Sequence, residues 1–147
     1  MNISIEVAET YNRDTLQQEA SVYVTGEHPL LLFTSETIGV DLKNWSDRLL
    51  QLIVGEEQQT FETSDGRFEL RLQREDDQLT ITGRNDFLER DEWAFDVDFF
   101  TFIEAFTIAA TRFVNLVVEV DERAQNDSSF EELVQYLFLL GQTVDGF

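Results

Sequence analysis

The chain has no cysteine, one proline, one histidine and one lysine among its 147 residues. Without cysteine there are no disulfides, no thiolate catalysis and no zinc–thiolate sites, and a reducing compartment is favoured. A histidine-based triad or metal site would have to use His28, which precedes Pro29 in a predicted turn and is interpreted as a surface loop residue. Because one proline leaves no rigid linker, we predict a single domain over residues 1–147.

Targeting and cofactor motifs are also missing. The first residues, Met-Asn-Ile-Ser-Ile-Glu, have no basic segment followed by an apolar stretch, so no secretion signal is predicted. The most apolar segment, 99–120, is interrupted by Glu104 and Arg112, which argues against a membrane span. The sequence holds neither a glycine-rich phosphate loop nor a Gly-x-Ser-x-Gly elbow. We therefore expect a cytoplasmic protein that is not an enzyme and carries no cofactor.

Acidic residues are what the chain has in excess. It carries 30 Asp and Glu against 10 Lys and Arg, a formal net charge of -20, yet 42% of its residues are hydrophobic and 13 are Phe. Disordered acidic tails lack aromatic residues, so this charge coats a folded domain. Such a surface repels nucleic acid and anionic membranes and attracts basic proteins over a long range. The composition therefore indicates a basic protein partner.

Apolar residues that alternate with polar ones predict a mostly antiparallel sheet of about five to six strands. Ile3, Ile5 and Val7 alternate in this way at the start of the chain, whereas the polar residues 10–19 are predicted to form a loop. The Asp65-Gly66 pair predicts a hairpin between residues 58–63 and 67–74.

Three helices are predicted from apolar residues at helical spacing. The first covers 41–54, with Asp41 as its N-cap and Gly55 after its last turn. The second covers 99–123 and has one narrow polar stripe and a wide apolar face that includes Ile108 and Leu116. The third begins at a capping box formed by Ser128 and Ser129 and ends at Gly141. The predicted fold class is α+β, with the helices packed mainly on one side of the sheet.

The densest acidic segments form the candidate partner-binding surface. Acids can steer a basic partner, and Phe87 and Trp93 beside them could anchor it. The alternative is a solubilising surface with both aromatic rings in the core. The candidate residues are Glu75, Asp76, Asp77, Asp86, Phe87, Glu89, Asp91, Glu92, Asp96 and Asp98, together with Leu139, which lies opposite the buried face of the last helix.

Two carboxylate arrangements are candidates for chemical sites. Glu92, Asp96 and Asp98 share one face of a predicted strand and could offer oxygen ligands to Mg²⁺ or Ca²⁺. No loop with calcium-binding spacing accompanies them, so a solvated face is favoured and no metal is expected. Glu104 interrupts an apolar segment but lies on the polar stripe of its helix, which favours a solvated side chain.

Three segments carry a resemblance to a known family. They are Leu42-x-x-Trp45-x-x-x-Leu49 ending at Gly55, Phe68-Glu69-Leu70, and Glu92-Trp93-Ala94-Phe95-Asp96-Val97-Asp98. In these and in the order of its elements the chain resembles the WapI-like bacterial immunity proteins, which neutralise the toxic domain of wall-associated contact-dependent toxins. The resemblance implies physical occlusion of a basic, nuclease-like toxin, and it transfers no individual binding residue.

The sequence supports three hypotheses for function. The first is an acidic immunity protein that binds and occludes a basic toxin. The second is an oligomeric or adaptor protein, for example a homodimer, that uses the apolar helix 99–123 and Leu139 as its interface. The third, and least favoured, is a hydrolase with an oxygen-ligated metal.

Overall fold

The fold is α+β, as predicted, and the described residues form seven strands, three α-helices and a short 3₁₀ helix at Glu122–Asn126. The computed structural model describes residues 2–12, 17–25, 30–64, 66–85 and 90–145. The strands are β1 Asn2–Asn12, β2 Gln17–Thr25, β3 Leu30–Ser35, β4 Gln58–Glu62, β5 Phe68–Glu75, β6 Gln78–Asn85 and β7 Arg90–Asp98. The helices are α1 Ile38–Ile53, α2 Phe99–Val120 and α3 Ser128–Asp145.

The strands form two antiparallel sheets, where the sequence predicted one sheet of five to six strands. The first has the order β1-β2-β3 and the second the order β4-β5-β6-β7. The prediction of a loop over residues 10–19 was wrong at both ends, because β1 runs to Asn12 and β2 begins at Gln17. Cross-strand pairing of Tyr11 with Gln18 and of Asn12 with Gln17 extends this polar hairpin beyond its apolar part.

Helix α1 begins three residues before the predicted start. Thr37 occupies the N-cap position, and Asp41 is buried one turn inside the helix. Asp41 does not cap the helix, because its carboxylate accepts hydrogen bonds from the Ser35 hydroxyl and from the backbone N–H and hydroxyl of Ser64. At the other end the prediction is confirmed: Gly55 has φ 120°, a left-handed value that favours glycine.

Helix α2 ends at Val120, where Asp121 turns extended, three residues before the predicted end. The predicted polar stripe is exposed, but Ile108 and Leu116, which were assigned to the apolar face, are exposed too. By length and mean hydropathy (1.4 over Phe99–Glu119) the helix could also span a membrane. Half of that segment is buried inside the protein, and core helices of soluble proteins pass the same test, so the match carries no membrane assignment.

Helix α3 packs mainly on α1 and α2. It continues past Gly141, the predicted end, to Asp145. Gly141 lies opposite Thr107 of α2, with 4.0 Å between the Thr107 methyl and the position of an added Cβ. A methyl group at this position would be in ordinary van der Waals contact, so the helix contact does not require glycine, and Gly141 does not end the helix. The apolar spacing of this helix predicts that Val134 lies on its buried face with Phe130, Leu133 and Leu137, but Val134 is exposed.

One hydrophobic core joins both sheets to the helices, and Trp45 of α1 lies at its centre. Its ring centroid is 5.9 Å from that of Phe33 in the first sheet and 5.1 Å from that of Phe61 in the second. Phe102 and Phe106 of α2 lie 6.1 and 6.3 Å away. All five rings are at most 1% exposed. Tilted and edge-to-face rings at such distances add stabilisation beyond that from burial alone.

Trp93 of β7 packs on its cross-strand partner Gly83 of β6. A Cβ added at Gly83 would lie 2.1 Å from Cζ2 and 2.2 Å from Cε2 of the Trp93 ring. The ring therefore fills the space that a side chain at position 83 would need. Trp93 is half-buried against the core, which favours the interpretation that assigned it to the core over that of a partner anchor.

We predict that Gly83→Ala destabilises the protein by about 1–3 kcal/mol, because the methyl group overpacks the Trp93 contact. The measurement is urea unfolding followed by tryptophan fluorescence and circular dichroism. Gly39→Ala is the matched control: nothing lies within 4 Å of its added Cβ, and in a helix alanine is favoured over glycine by about 0.5–1 kcal/mol. Equal stability of the two variants would contradict the packing described.

Candidate functional site

The turn between β5 and β6 places three acids at one end of the second sheet. Glu75 pairs with Gln78 across the hairpin, and Asp76 and Asp77 form its two-residue tip. Asp76 has φ 54°, a left-handed value that aspartate tolerates better than most residues. All three acids are exposed. The Asp76-Asp77 pair between two strand-like segments predicts a turn here, and the turn that forms presents its carboxylates to solvent.

A second acidic pair, Glu56 and Glu57, lies beside this turn. The backbone N–H of Arg74 donates to the Glu57 carbonyl at 2.8 Å, which fixes the α1–β4 connection against β5. A depression of about 560 Å³ lies between this acidic pair and the β5–β6 turn, and we call it the acidic depression. Its lining includes the four exposed carboxylate residues Glu56, Glu57, Glu75 and Asp76.

Glu56 and Glu57 were not among the candidate residues predicted from sequence. They are about 20 residues from the turn in the chain, but the hairpin predicted at Asp65-Gly66 relates them to it, because its register continued past Gln58 and Gln73 sets Glu56 opposite Glu75. A second signal was their position directly after Gly55, because a glycine that ends a helix turns the chain sharply and exposes the residues after it. The β4–β5 hairpin brings them beside the turn, and the hydrogen bond from the Arg74 N–H to the Glu57 carbonyl continues its ladder.

Arg74 is the one basic residue among those that line the acidic depression, and its charge is directed inward. Its Nε donates to the Asp76 carbonyl at 2.8 Å and its Nη1 to the Leu52 carbonyl at 2.9 Å. Its guanidinium carbon lies 4.3 Å from the ring centroid of Phe99 and 5.4 Å from that of Phe100. These contacts join the end of α1, the acidic turn and the start of α2. They leave the four carboxylates that line the acidic depression, which form its rim, exposed to solvent.

Asp98 adjoins the same end of the sheet, since the backbone N–H of Phe99 donates to the Asp77 carbonyl at 2.7 Å. Its carboxylate caps α2, accepting hydrogen bonds from the backbone N–H and the hydroxyl of Thr101, both at 2.9 Å. The backbone hydrogen bond, and then the hydroxyl, lower the pKa of Asp98 below its ordinary value of 3.8. Asp98 therefore stays ionised as the cap of α2.

The predicted trio of oxygen ligands is divided in the structure. Asp96 Oδ1 accepts a hydrogen bond from the Thr80 hydroxyl at 2.7 Å, and Asp98 is engaged by Thr101. The side chain of Glu92 lies outside the described part of the chain. Within the described ranges, no group of three Asp, Glu, His or Cys residues is placed to hold a metal ion.

Most of the remaining predicted residues lie outside the described part of the chain. Asp86, Phe87 and Glu89 lie outside the described residues, as does His28, and so do the side chains of Asp91 and Glu92. Asn85 and Arg90, which bracket segment 86–89, pair seven residues along β6 from Gln78. At about 3.3 Å per residue, this is about 23 Å from the acidic turn. Leu139 is 46% exposed on α3 and does not line the depression.

Exposed carboxylates around a concave floor can bind cationic groups, and arginine and lysine side chains suit them best in a protein partner. Glu104, the other carboxylate considered from sequence, is exposed on α2.

No protein-family model, curated protein or solved structure matches this chain. The resemblance to the WapI-like immunity family therefore stays a prediction, and the site has to be judged by its geometry.

We predict that Arg74→Lys destabilises the protein by about 2 kcal/mol, because lysine cannot reproduce two directed hydrogen bonds and a planar contact with two rings. Equilibrium unfolding in urea measures the change. Arg71→Lys is the control, since Arg71 is exposed and paired only loosely with Glu69 at 3.5 Å, and we expect a change within about 0.5 kcal/mol. A similar small effect at both positions would rule out the inward role of Arg74.

We predict that Asp98→Ala costs about 1 kcal/mol of stability at pH 7 through loss of the α2 cap. Since the folded pKa lies below the unfolded one, this contribution is complete above the unfolded value and is lost as pH falls through the folded value. The gap between wild type and variant should therefore close in acid. Thermal unfolding between pH 2.5 and 7 measures it, with Asp96→Ala as control. A gap independent of pH would contradict the charged cap.

Proposed function

We propose that this protein is an acidic protein-binding module whose acidic depression docks a basic surface of another protein. Its proposed role is that of an immunity protein that neutralises a basic, nuclease-like toxin in the cytoplasm by occlusion. The observation that carries the proposal is the ring formed by Glu56, Glu57, Glu75 and Asp76, with its single arginine turned inward. The module is proposed to act by binding and not as an enzyme.

Charge supports this choice of partner. The chain has a net charge of -20, so its field attracts basic proteins and repels nucleic acid and anionic membranes. At the depression, guanidinium groups can form paired hydrogen bonds with carboxylates, which gives both orientation and affinity. Asp77 and Asp98 extend the negative surface beside the rim. A basic active-site cleft has the complementary charge, and covering it would exclude its nucleic-acid substrate.

Rigidity supports the same choice. Glu56 and Glu57 follow the end of α1, Glu75 and Asp76 belong to a tight hairpin turn, and Arg74 bonds to backbone carbonyls on both sides. The carboxylates are therefore held close together before a partner arrives, and less entropy is lost on binding. Association would be fast and would weaken as salt screens the charges, with a Debye length of about 10 Å at 0.1 M salt and about 3 Å at 1 M.

The test uses a toxin domain encoded beside this gene and isothermal titration against the whole chain. We predict that changing Glu56, Glu57 and Glu75 to Gln and Asp76 to Asn weakens binding about 10- to 100-fold, because four charge contacts are lost. The control variant changes four other exposed acids to Gln and has the same net charge; these are Glu36, Glu119, Glu122 and Glu131.

Wild-type affinity should also fall as NaCl is raised from 50 to 500 mM, and co-expression should protect cells from the toxin domain. Equal losses for the two quadruple variants would show that only bulk charge matters and would reject the acidic depression as the site. Affinity independent of salt, or no binding to the neighbouring toxin domain, would reject the proposed function.

A further inference from the structure

A second concave surface lies between the edge of the first sheet and helix α2. It is a groove of about 760 Å³, lined by residues 2–5 of β1, by Thr25 of β2, which pairs with Asn2 at the end of the hairpin, and by residues of α2 between Thr101 and Leu116. Ala105 and Ala109 form part of its α2 side, and their small side chains leave the space open. The groove shares no lining residue with the acidic depression.

The sheet side of the groove is a free strand edge. In the described sheet, β1 pairs with β2 alone. Four consecutive residues, 2–5, line the groove, whereas a strand that faced it would contribute alternate residues. The outer edge of β1 therefore borders the groove, and alternate residues along this edge direct their N–H and C=O groups away from β2. Natural edges are usually protected by lysine, proline or inward charges, and residues 2–5 contain none of these.

On the helix side of the groove, the charged and apolar side chains are arranged so that two copies of α2 can complement each other. Glu104, Ile108 and Arg112 are spaced four residues apart and form one ridge along α2. Ile108 is 47% exposed, and Leu116, which continues the ridge, is 54% exposed. If two such ridges cross antiparallel at Ile108, each Glu104 lies opposite an Arg112. Residues that exchange contacts in this way are the signature of a twofold interface.

We propose that this groove is a homodimer interface, in which a second copy pairs its β1 edge with β1 and its α2 ridge with α2 about a twofold axis. The dimer joins two three-stranded sheets into one and covers Ile108 and Leu116 of both copies. Its contacts are separate from those of the proposed basic partner, because it uses no residue of the acidic depression. It also differs from the interface predicted from sequence, which included Leu139, since Leu139 does not line this groove.

The net charge of the chain opposes this dimer, and the dimer should therefore depend on salt in a characteristic way. Two chains of net charge -20 repel each other, although the groove itself holds one acid and one base, Glu104 and Arg112. Salt screens the long-range repulsion more than it screens partly buried pairs. Self-association should therefore strengthen between 50 and 500 mM NaCl, the reverse of the salt dependence expected for a basic partner.

The test is sedimentation equilibrium of the whole chain and of three variants at the ridge. Glu104→Arg and Arg112→Glu each place like charges opposite one another twice, so each should raise the dimer dissociation constant at least about tenfold. The double variant E104R/R112E swaps the pair and should restore the dimer to within about threefold of wild type. Glu119→Arg, at an exposed acid of α2 outside the groove, is the control for the charge change in E104R.

The two single reversals separate the ridge from bulk charge. Glu104→Arg makes the chain less negative and Arg112→Glu makes it more negative, so bulk repulsion alone would move the dissociation constants in opposite directions. If the two ridges pack against each other, both variants should weaken the dimer. Hydrogen exchange supplies a second measurement, because amides in residues 2–5 should become protected as protein concentration rises.

Several results would overturn the proposal. They are a monomer at millimolar concentration and 500 mM NaCl, a dimer in which E104R behaves like E119R, failure of the double swap to restore association, and a dimer that leaves residues 2–5 unprotected. Binding of the basic toxin domain to residues 2–5 in place of a second copy would also overturn it. Circular dichroism confirms that each variant is folded, which is expected because the changed side chains are exposed.

Discussion

Helix α1 is the element on which the rest of the structure depends, because it is held at its centre and at both ends. Trp45 contacts rings from both sheets and from α2, so one side chain joins three layers. Near the start of the helix, the buried carboxylate of Asp41 binds Ser35 and Ser64 and thereby connects the two sheets. At its end, the Leu52 carbonyl accepts a hydrogen bond from Arg74. Burying a carboxylate costs free energy unless hydrogen bonds within the protein replace those it made with water, and Asp41 accepts three such hydrogen bonds.

This arrangement determines where the acidic depression forms. Arg74 satisfies carbonyl groups of α1 and of the β5–β6 turn, so Glu56, Glu57, Glu75 and Asp76 are brought to one rim. The guanidinium also offsets part of the repulsion among these acids without pairing with any of them directly. A loop that had to gather four carboxylates by itself would meet that repulsion in full. The rigid core therefore allows a concentrated negative surface to form.

Local patterns predicted most of the elements but not their partners. The apolar spacing of α1, Gly55 after it and the Asp76-Asp77 turn were all predictable from sequence, because each is decided by a few neighbouring residues. Asp41 was wrongly predicted as a cap, because its hydrogen-bond partner Ser64 lies 23 residues away and only the folded chain brings them together. Glu56 and Glu57, in contrast, were within reach of prediction, because the hairpin predicted at Asp65-Gly66 sets them opposite Arg74 and Glu75 when its register is continued past Gln58. Nothing along the chain indicates that the strands divide into two sheets, since pairing depends on long-range contacts.

The net charge acts in opposite directions on the two surfaces. At the acidic depression it concentrates cationic partners, and its effect is largest at low salt. At the β1–α2 groove it keeps copies apart, so association there has to come from strand pairing, from Ile108 and Leu116, and from the Glu104–Arg112 contacts. A bound basic partner would neutralise part of the charge and lower the repulsion between copies. Partner binding and self-association would then be coupled favourably through charge alone, without a change in shape.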